Sequence, residues 1–290
     1  MSEEMKEVTA VPTLTFEPFE NEQAALQTVS AADPAPQTAV FDESSLTDAE
    51  KKMVQDFASK IELSNSSMVL QYGAGAQKKM ADFSESALNN VRTKDLGEIG
   101  SMLSNVVTEL KSFDVGEEEK GFLGFFKRSS NKLTSMKAKY AKAETNVDAI
   151  CHTLEGHQVQ LLKDIAMLDK MYELNKVYFK ELSMYILAGK KKLAQTRAEQ
   201  LPILVERAKQ TGLPEDAQAA NDLSSLCSRF EKKLHDLELT RMISIQMAPQ
   251  IRLVQNNDTL MSEKIQSTLV NTIPLWKSQM VLALGVAHSQ

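Results

Sequence analysis

Beyond residue 45, apolar residues recur three and four positions apart along most of the chain, and the longest such run lies between 133 and 193. Leu133, Met136, Tyr140, Ala143, Val147, Ile150, Leu154, His157 and Leu161 form the first ladder. After one extra four-residue step it resumes at Ile165, Leu168, Tyr172, Asn175, Phe179, Leu182, Ile186, Gly189 and Leu193. A heptad seam with one stutter and no internal proline predicts a single coiled-coil helix over about 131–197. At 1.5 Å per residue it would be roughly 100 Å long. Such a helix must lean its apolar edge on something. Pro202 and the stretch "TGLPED" (211–216) predict its end, and Pro214 with the acids after it predicts the start of a return. Leu223, Leu226, Phe230, Leu234 and Leu237 then continue the spacing. The expected fold is therefore all-α. It is an elongated helical bundle built on a long antiparallel coiled-coil hairpin over 131–290. Dimerisation of the seam between two copies is the alternative.

Ahead of the hairpin, "SLTDAEKKMVQDFASKI" carries an N-cap at Thr47 or Ser45, with Glu50 placed to complete a capping box with Thr47. Val54, Phe57 and Ile61 mark the stripe this helix would bury. Met68, Tyr72, Ala76 and Met80 predict a second helix; Leu96, Ile99, Leu103, Val106, Leu110 and Phe113 predict a third. Together these make an expected small bundle over 46–115. Residues 116–130 break the pattern with three glycines and read as a linker or docking segment. There Phe122, Leu123, Phe125 and Phe126 stand beside Lys127 and Arg128. That mixture fits peripheral membrane contact, although phenylalanines plugging one end of a bundle are the commoner outcome.

On the returning helix the next seam position is Arg241, where an aliphatic residue would be expected. A buried, uncompensated charge is costly, so a carboxylate or a wet groove is required. With a turn near residue 206, Arg241 falls opposite Tyr172, one turn from Asp169. Arg252 falls near Leu161, one turn from Asp164. Asp164 and Asp169 are thus the expected ion-pair partners. Pro249 and Pro274 each remove a helix donor and displace a carbonyl, so kinks are expected at both. Arg241, Gln246, Gln250, Arg252, Gln255 and Asn256 then form a candidate polar pocket, or a buried network that fixes register.

Charge adds one distinction. The net charge of −6 conceals 11 acidic residues against one basic residue within 1–50, leaving 32 basic against 28 acidic in the rest. Residues 1–45, acidic and proline-dotted without periodicity, read as a disordered tail. The body lacks the basic stripe that nucleic-acid binding needs. The opening residues are too acidic for a secretory signal. The apolar run 280–287 is too short to span a membrane. Two cysteines, Cys151 and Cys227, make no disulfide framework, which favours a reducing cytoplasm. Neither lies in a CxxC or HxxxH spacing, so no metal or redox cofactor is expected. No nucleophile triad, phosphate loop or paired-carboxylate motif appears, and "GAG" at 73–75 is too short for a phosphate cradle.

Several longer stretches carry a family likeness. "LEGHQVQLLKDIAMLDKMYELN", "YILAGKKKL", "DLELTRMISIQMAPQIRLVQNN" and "EKIQSTLVNTIPLWKSQMVLALGV" closely resemble the bacterial toxic anion resistance (TelA) family; "QYGAGAQ" and "KDLGEIGSML" look similar too. The likeness covers roughly 60–290. It implies a cytoplasmic helical protein tied to tellurite resistance and stress, with no accepted catalytic activity. It also implies protein partners, Ter-type tellurium-resistance proteins among them. Family members continue with charged helix past the equivalent of Gln290, so a truncated or short member is expected.

The leading expectation is a non-enzymatic cytoplasmic scaffold or adaptor in toxic anion and envelope-stress resistance, with a peripheral site on the inner face of the membrane as a variant. The second is an oxyanion-binding module at the Arg/Gln cluster around Pro249, since guanidinium and amide donors suit tellurite's oxygens. The third, a tellurite reductase, would require reactive thiols.

Overall fold

The computed structural model describes residues 12–16, 43–92, 96–111 and 129–289. The regular structure among them is helical throughout: α1 (Asp48–Ser59), α2 (Ser66–Gln71), α3 (Ala74–Arg92), α4 (Leu96–Lys111), α5 (Ser129–Gln195), α6 (Leu201–Thr211), α7 (Pro214–Ser267) and α8 (Ile273–Ser289). Of the expected tail over 1–45, residues 1–11 and 17–42 lie outside the described residues. So do 112–128, which hold the run from Phe122 to Arg128. Residues 12–16 have no regular secondary structure but are held to Tyr185 through Thr15, and Glu43–Ser45 forms a 3-10 turn, so the tail is ordered at both places.

The helix starts follow local chemistry. Thr47 caps α1: its Oγ1 accepts from the Glu50 amide at 3.3 Å, and Glu50 Oε2 accepts from the Thr47 amide at 2.8 Å. These are two otherwise orphaned donors satisfied together. Val54 and Phe57 on α1, with Ile61 just beyond it, are buried. The second expected helix is in fact two. Gly73 sits between α2 and α3 at φ 67°, a left-handed conformation that a glycine adopts at no steric penalty.

Helix α5 is unbroken for 67 residues. Its most buried row is a strict heptad: Val147, Leu154, Leu161, Leu168, Asn175, Leu182 and Gly189 are all buried, and Thr196, just past its end, continues the row. What changes along the helix is the flanking row, and the sequence registers that change as a stutter. Pro202 does not end the path. A π-helical turn over Thr196–Gln200, with the Leu201 amide bonding back to the Thr196 carbonyl, accommodates the ring, and α6 continues to Thr211. The reversal comes at Gly212, φ 63°. A second π-turn, Thr268–Thr272, precedes Pro274 in the same way. Helix α7 runs unbroken through Pro249.

The contacts divide into two compact units. One comprises Met1–Leu88 with Met171–Gln250; the other comprises Asn89–Lys170 with Ile251–Gln290. The bundle expected over 46–115 spans this division, with α1, α2 and α3 as far as Leu88 in the first unit and the end of α3 with α4 in the second. In the first unit α5 and α7 are antiparallel, because pairing residues rise along one as they fall along the other: Arg197 with Glu231, Lys190 with Glu238, Asn175 with Ser244. Tyr72, Tyr185, Phe230 and Phe57 form its aromatic centre. In the second unit the same antiparallel order appears in Asp169 with Arg252, Gln158 with Gln266 and Asp148 with Lys277. Its core is Ile99, Val106, Val147, Leu154, Leu161, Ile265 and Ile273.

Candidate functional site

Helix α7 turns its polar residues into the seam because they fall on the buried three-four ladder. Arg241, Ser244, Gln255, Asp258 and Ser262 are all buried there. Within the first unit, Arg241 Nη1 donates to Ser183 Oγ at 3.4 Å, and the Ser183 hydroxyl donates to the Phe179 carbonyl at 2.8 Å. The guanidinium carbon lies 5.8 Å from the Phe179 ring centroid, within cation–π range. Burial draws the Arg241 guanidinium below its ordinary range, with Glu238 opposing. Arg241 therefore lies beside Ser183 and not, as the sequence register implied, opposite Tyr172. The reversal falls at Gly212 instead of near 206, and each residue of displacement shifts the pairing by two.

Three residues further along α7, Ser244 and Asn175 satisfy each other. Asn175 Nδ2 donates to the Ser244 carbonyl at 2.9 Å, and Ser244 Oγ donates to Asn175 Oδ1 at 2.9 Å. Glu181, whose side chain is 3% exposed, is held by Lys79 at 2.9 Å. Neither Glu181 nor Ser244 stood out in the sequence. Their signal was polar residues at seam or near-seam positions, which reads equally well as a solvated face.

Within the second unit, Arg252 Nη1 donates to Asp169 Oδ1 at 2.6 Å and also to Gln255 Oε1. Gln255 Nε2 donates to the Ile165 carbonyl at 3.2 Å, which ties α7 to α5. Hydrogen bonding from Gln255, and then from Arg252, holds the Asp169 carboxyl below the usual carboxylate range. Asp164 is 9% exposed and accepts from Gln160 Nε2 at 3.0 Å. Of the six candidate pocket residues, then, Arg252 and Gln255 meet each other and Asp169, and Arg241 meets Ser183. Gln246, Gln250 and Asn256 are exposed.

The chemistry of this set is hydrogen bonding and charge pairing within the protein. The thiols stand elsewhere: burial pushes both the half-buried Cys151 and the buried Cys227 up from the ordinary thiol range, away from the reactive thiolate. Beside the turn at Gly212 is a shallow groove of about 480 Å³, lined by Ile203, Leu204, Leu223 and Leu226 with Ser64, Gln200, Ala219 and Asp222. It has no cationic side chain and does not suit an anion. Among the described residues, no helix is long and apolar enough to cross a membrane.

The sequence matches the family model of the toxic anion resistance protein (TelA) over residues 54–290. It is 40% identical over 252 residues to a TelA-like protein of Staphylococcus epidermidis, covering 86% of this chain and 67% of that one. An uncharacterized protein of Listeria monocytogenes is 39% identical over 249 residues, covering 84% of this chain and 62% of its own. The uncharacterized protein YaaN of Bacillus subtilis is 38% identical over 250 residues, covering 84% and 65%. The chain thus spans about two thirds of the length of these relatives. No solved structure matches it.

Proposed function

The chain belongs to the toxic anion resistance (TelA) family, and on that premise we propose that it works as a non-enzymatic helical scaffold or adaptor in resistance to anions such as tellurite. The observation that supports this reading is how the seam's polar groups are used. The buried Gln255, Asn175 and Ser244 donate to, and accept from, other groups of the same chain, and Arg252 donates to Asp169 and Gln255. A buried polar layer of this kind fixes which residues of two helices face each other. Arg252 Nη1 and the Gln255 amide, two donors an oxyanion would use, already bond within the chain. The partners we assign are other proteins, with Ter-type tellurium-resistance proteins as the first to try. The setting we assign is the cytoplasm, with the aromatic-basic run from Phe122 to Arg128 as the peripheral membrane contact.

Calorimetry with tellurite, selenite and phosphate, alongside co-purification from tellurite-treated cells, tests the reading. The scaffold predicts no heat with any of the three anions and stoichiometric recovery of a defined protein. Saturable heat that disappears in R252A would replace it with the second reading, an oxyanion-binding module. That alternative draws on Arg252, whose side chain remains 39% exposed. Turnover of tellurite with thiol or nicotinamide donors, lost in C151S/C227S, would replace both with an enzyme.

A further inference from the structure

Residues 12–16, "PTLTF", are far in sequence from the helices they lie on, and they are bound the way a peptide ligand is bound. The segment has no regular secondary structure and bends at Phe16, but Pro12, Leu14 and Phe16 are half-buried while Thr13 and Thr15 are exposed, the period-two alternation of a peptide laid along a surface. One side chain reads its backbone. The Thr15 amide donates to the Tyr185 hydroxyl at 2.7 Å, and that hydroxyl donates to the Thr15 carbonyl at 3.0 Å. A phenol serving both as acceptor and donor to one residue recognises main chain in extended form, independently of the side chain it carries. Phe16 supplies the anchor, stacked on Phe57 with centroids 4.1 Å apart and planes at 12°.

The receiving surface is built in advance by the helices. Phe57 on α1 and Tyr72 between α2 and α3 each meet the Tyr185 ring edge-on at 5.5 Å. The Tyr72 hydroxyl donates to the Tyr185 carbonyl at 2.7 Å, fixing the residue that holds the segment. Burial pushes the Tyr185 hydroxyl up to about 12, so it keeps the proton it donates. Tyr185 is 2% exposed with the segment in place. Without an occupant its hydroxyl would be open to another extended backbone.

We infer that the face formed by Phe57, Tyr72 and Tyr185 is a binding site for an extended peptide segment of alternating apolar residues ending in an aromatic one. The chain's own residues 12–16 are its resident occupant, which a partner segment of the same chemistry displaces. Main-chain hydrogen bonding gives such a site affinity, and the pockets for alternate side chains give it selectivity. Because the resident is tethered, it competes at an effective concentration on the order of millimolar. An incoming peptide binds in earnest only when the resident is weakened or outcompeted. This inference needs nothing from the anion or adaptor reading, and either can fail alone.

The test uses the full chain and a labelled synthetic peptide of residues 10–20, followed by fluorescence anisotropy. F16A removes the resident's anchor and is expected to bind the peptide at least ~10-fold more tightly than the unaltered chain. Adding Y185F to F16A, which keeps the ring and deletes the hydroxyl, is expected to weaken peptide binding about 5- to 10-fold. Helicity and melting temperature identify a folding defect. Should F16A lower the melting temperature by more than a few degrees, T15P takes its place, because it deletes the amide that donates to Tyr185 and restricts the segment's backbone without altering the helices. Equal binding by the altered and unaltered chains, or peptide affinity indifferent to Y185F, overturns the site.

Discussion

Replacing Gly189 by alanine sets two opposed effects against each other in the middle of a helix. Alanine is favoured over glycine within a helix by about 1 kcal/mol. A Cβ at 189, however, would stand 2.3 Å from Leu234 Cδ2 and 3.2 Å from Phe230 Cζ. Leu234 is 3% exposed and Phe230 fully buried, so neither side chain has room to yield. Overpacking of this kind costs about 1–3 kcal/mol, and the clash should win, leaving G189A less stable by ~0–2 kcal/mol. Gly156, in the same helix with nothing within 4 Å of its Cβ position, is the control. G156A should stabilise by up to ~1 kcal/mol, the propensity gain without the clash. The decisive quantity is a double-mutant cycle. L234A alone opens a cavity at a cost of ~2–5 kcal/mol. In G189A/L234A the new methyl enters that space, so the double variant should be more stable than the sum of the singles by about 1–2 kcal/mol. Denaturant melts followed by circular dichroism at 222 nm give all four corners. Additivity within ~0.5 kcal/mol would mean that the two residues do not contact each other as described.

Other expectations follow from the seam and the thiols. N175A removes both side-chain hydrogen bonds that Asn175 makes with Ser244, leaving the hydroxyl only the longer bond to the main-chain carbonyl of residue 175, and should cost ~1–3 kcal/mol in a denaturant melt, whereas N175L/S244A should return most of that loss, because an apolar layer needs no partner. Asp169 has a depressed carboxyl, so its contribution is present above the unfolded value near 4 and is withdrawn as pH falls through the folded value; D169N should therefore show a flatter melting temperature on acidification than the unaltered chain. K79M should destabilise more than the double variant K79M/E181L in the same melts, since the single change strands a buried carboxylate. Burial raises both thiols, so iodoacetamide labelling of Cys151 and Cys227 should be slower at neutral pH in the folded chain than in the denatured chain and gain rate as pH rises.

The long helix could be read from sequence because its signal is cumulative: many successive seam positions agree, and no local accident cancels them. The capping box at Thr47 was equally plain, since two residues suffice to define it. Register was harder to read. A proline ordinarily ends a helix, but the π-turn before Pro202 absorbs it, and the extra length moved the reversal to Gly212. That carried Arg241 from Tyr172 to Ser183. The break at Gly73 was hidden because apolar spacing runs straight across it, from Tyr72 to Ala76 and Met80. Ser244 and Asp258 gave no sign of burial, since polarity alone does not separate an internally bonded layer from a wet face. The docked segment at 12–16 is too short for any periodicity to detect.

The two π-turns also alter the geometry of everything after them. Each inserts one residue into a regular helical turn and so rotates the following stretch by about 100°. The buried stripe takes a five-residue stride from Thr196 to the half-buried Leu201, then returns to shorter steps at Leu204 and Ala208. Across the other turn it passes from Ile265 by way of the half-buried Leu269 to Ile273 and Trp276. They act as vernier adjustments: a single deletion inside either, though it would restore ideal helical bonding, would swing Trp276 or Leu204 out of the inward-facing line, so the irregularity is what keeps the stripe aimed.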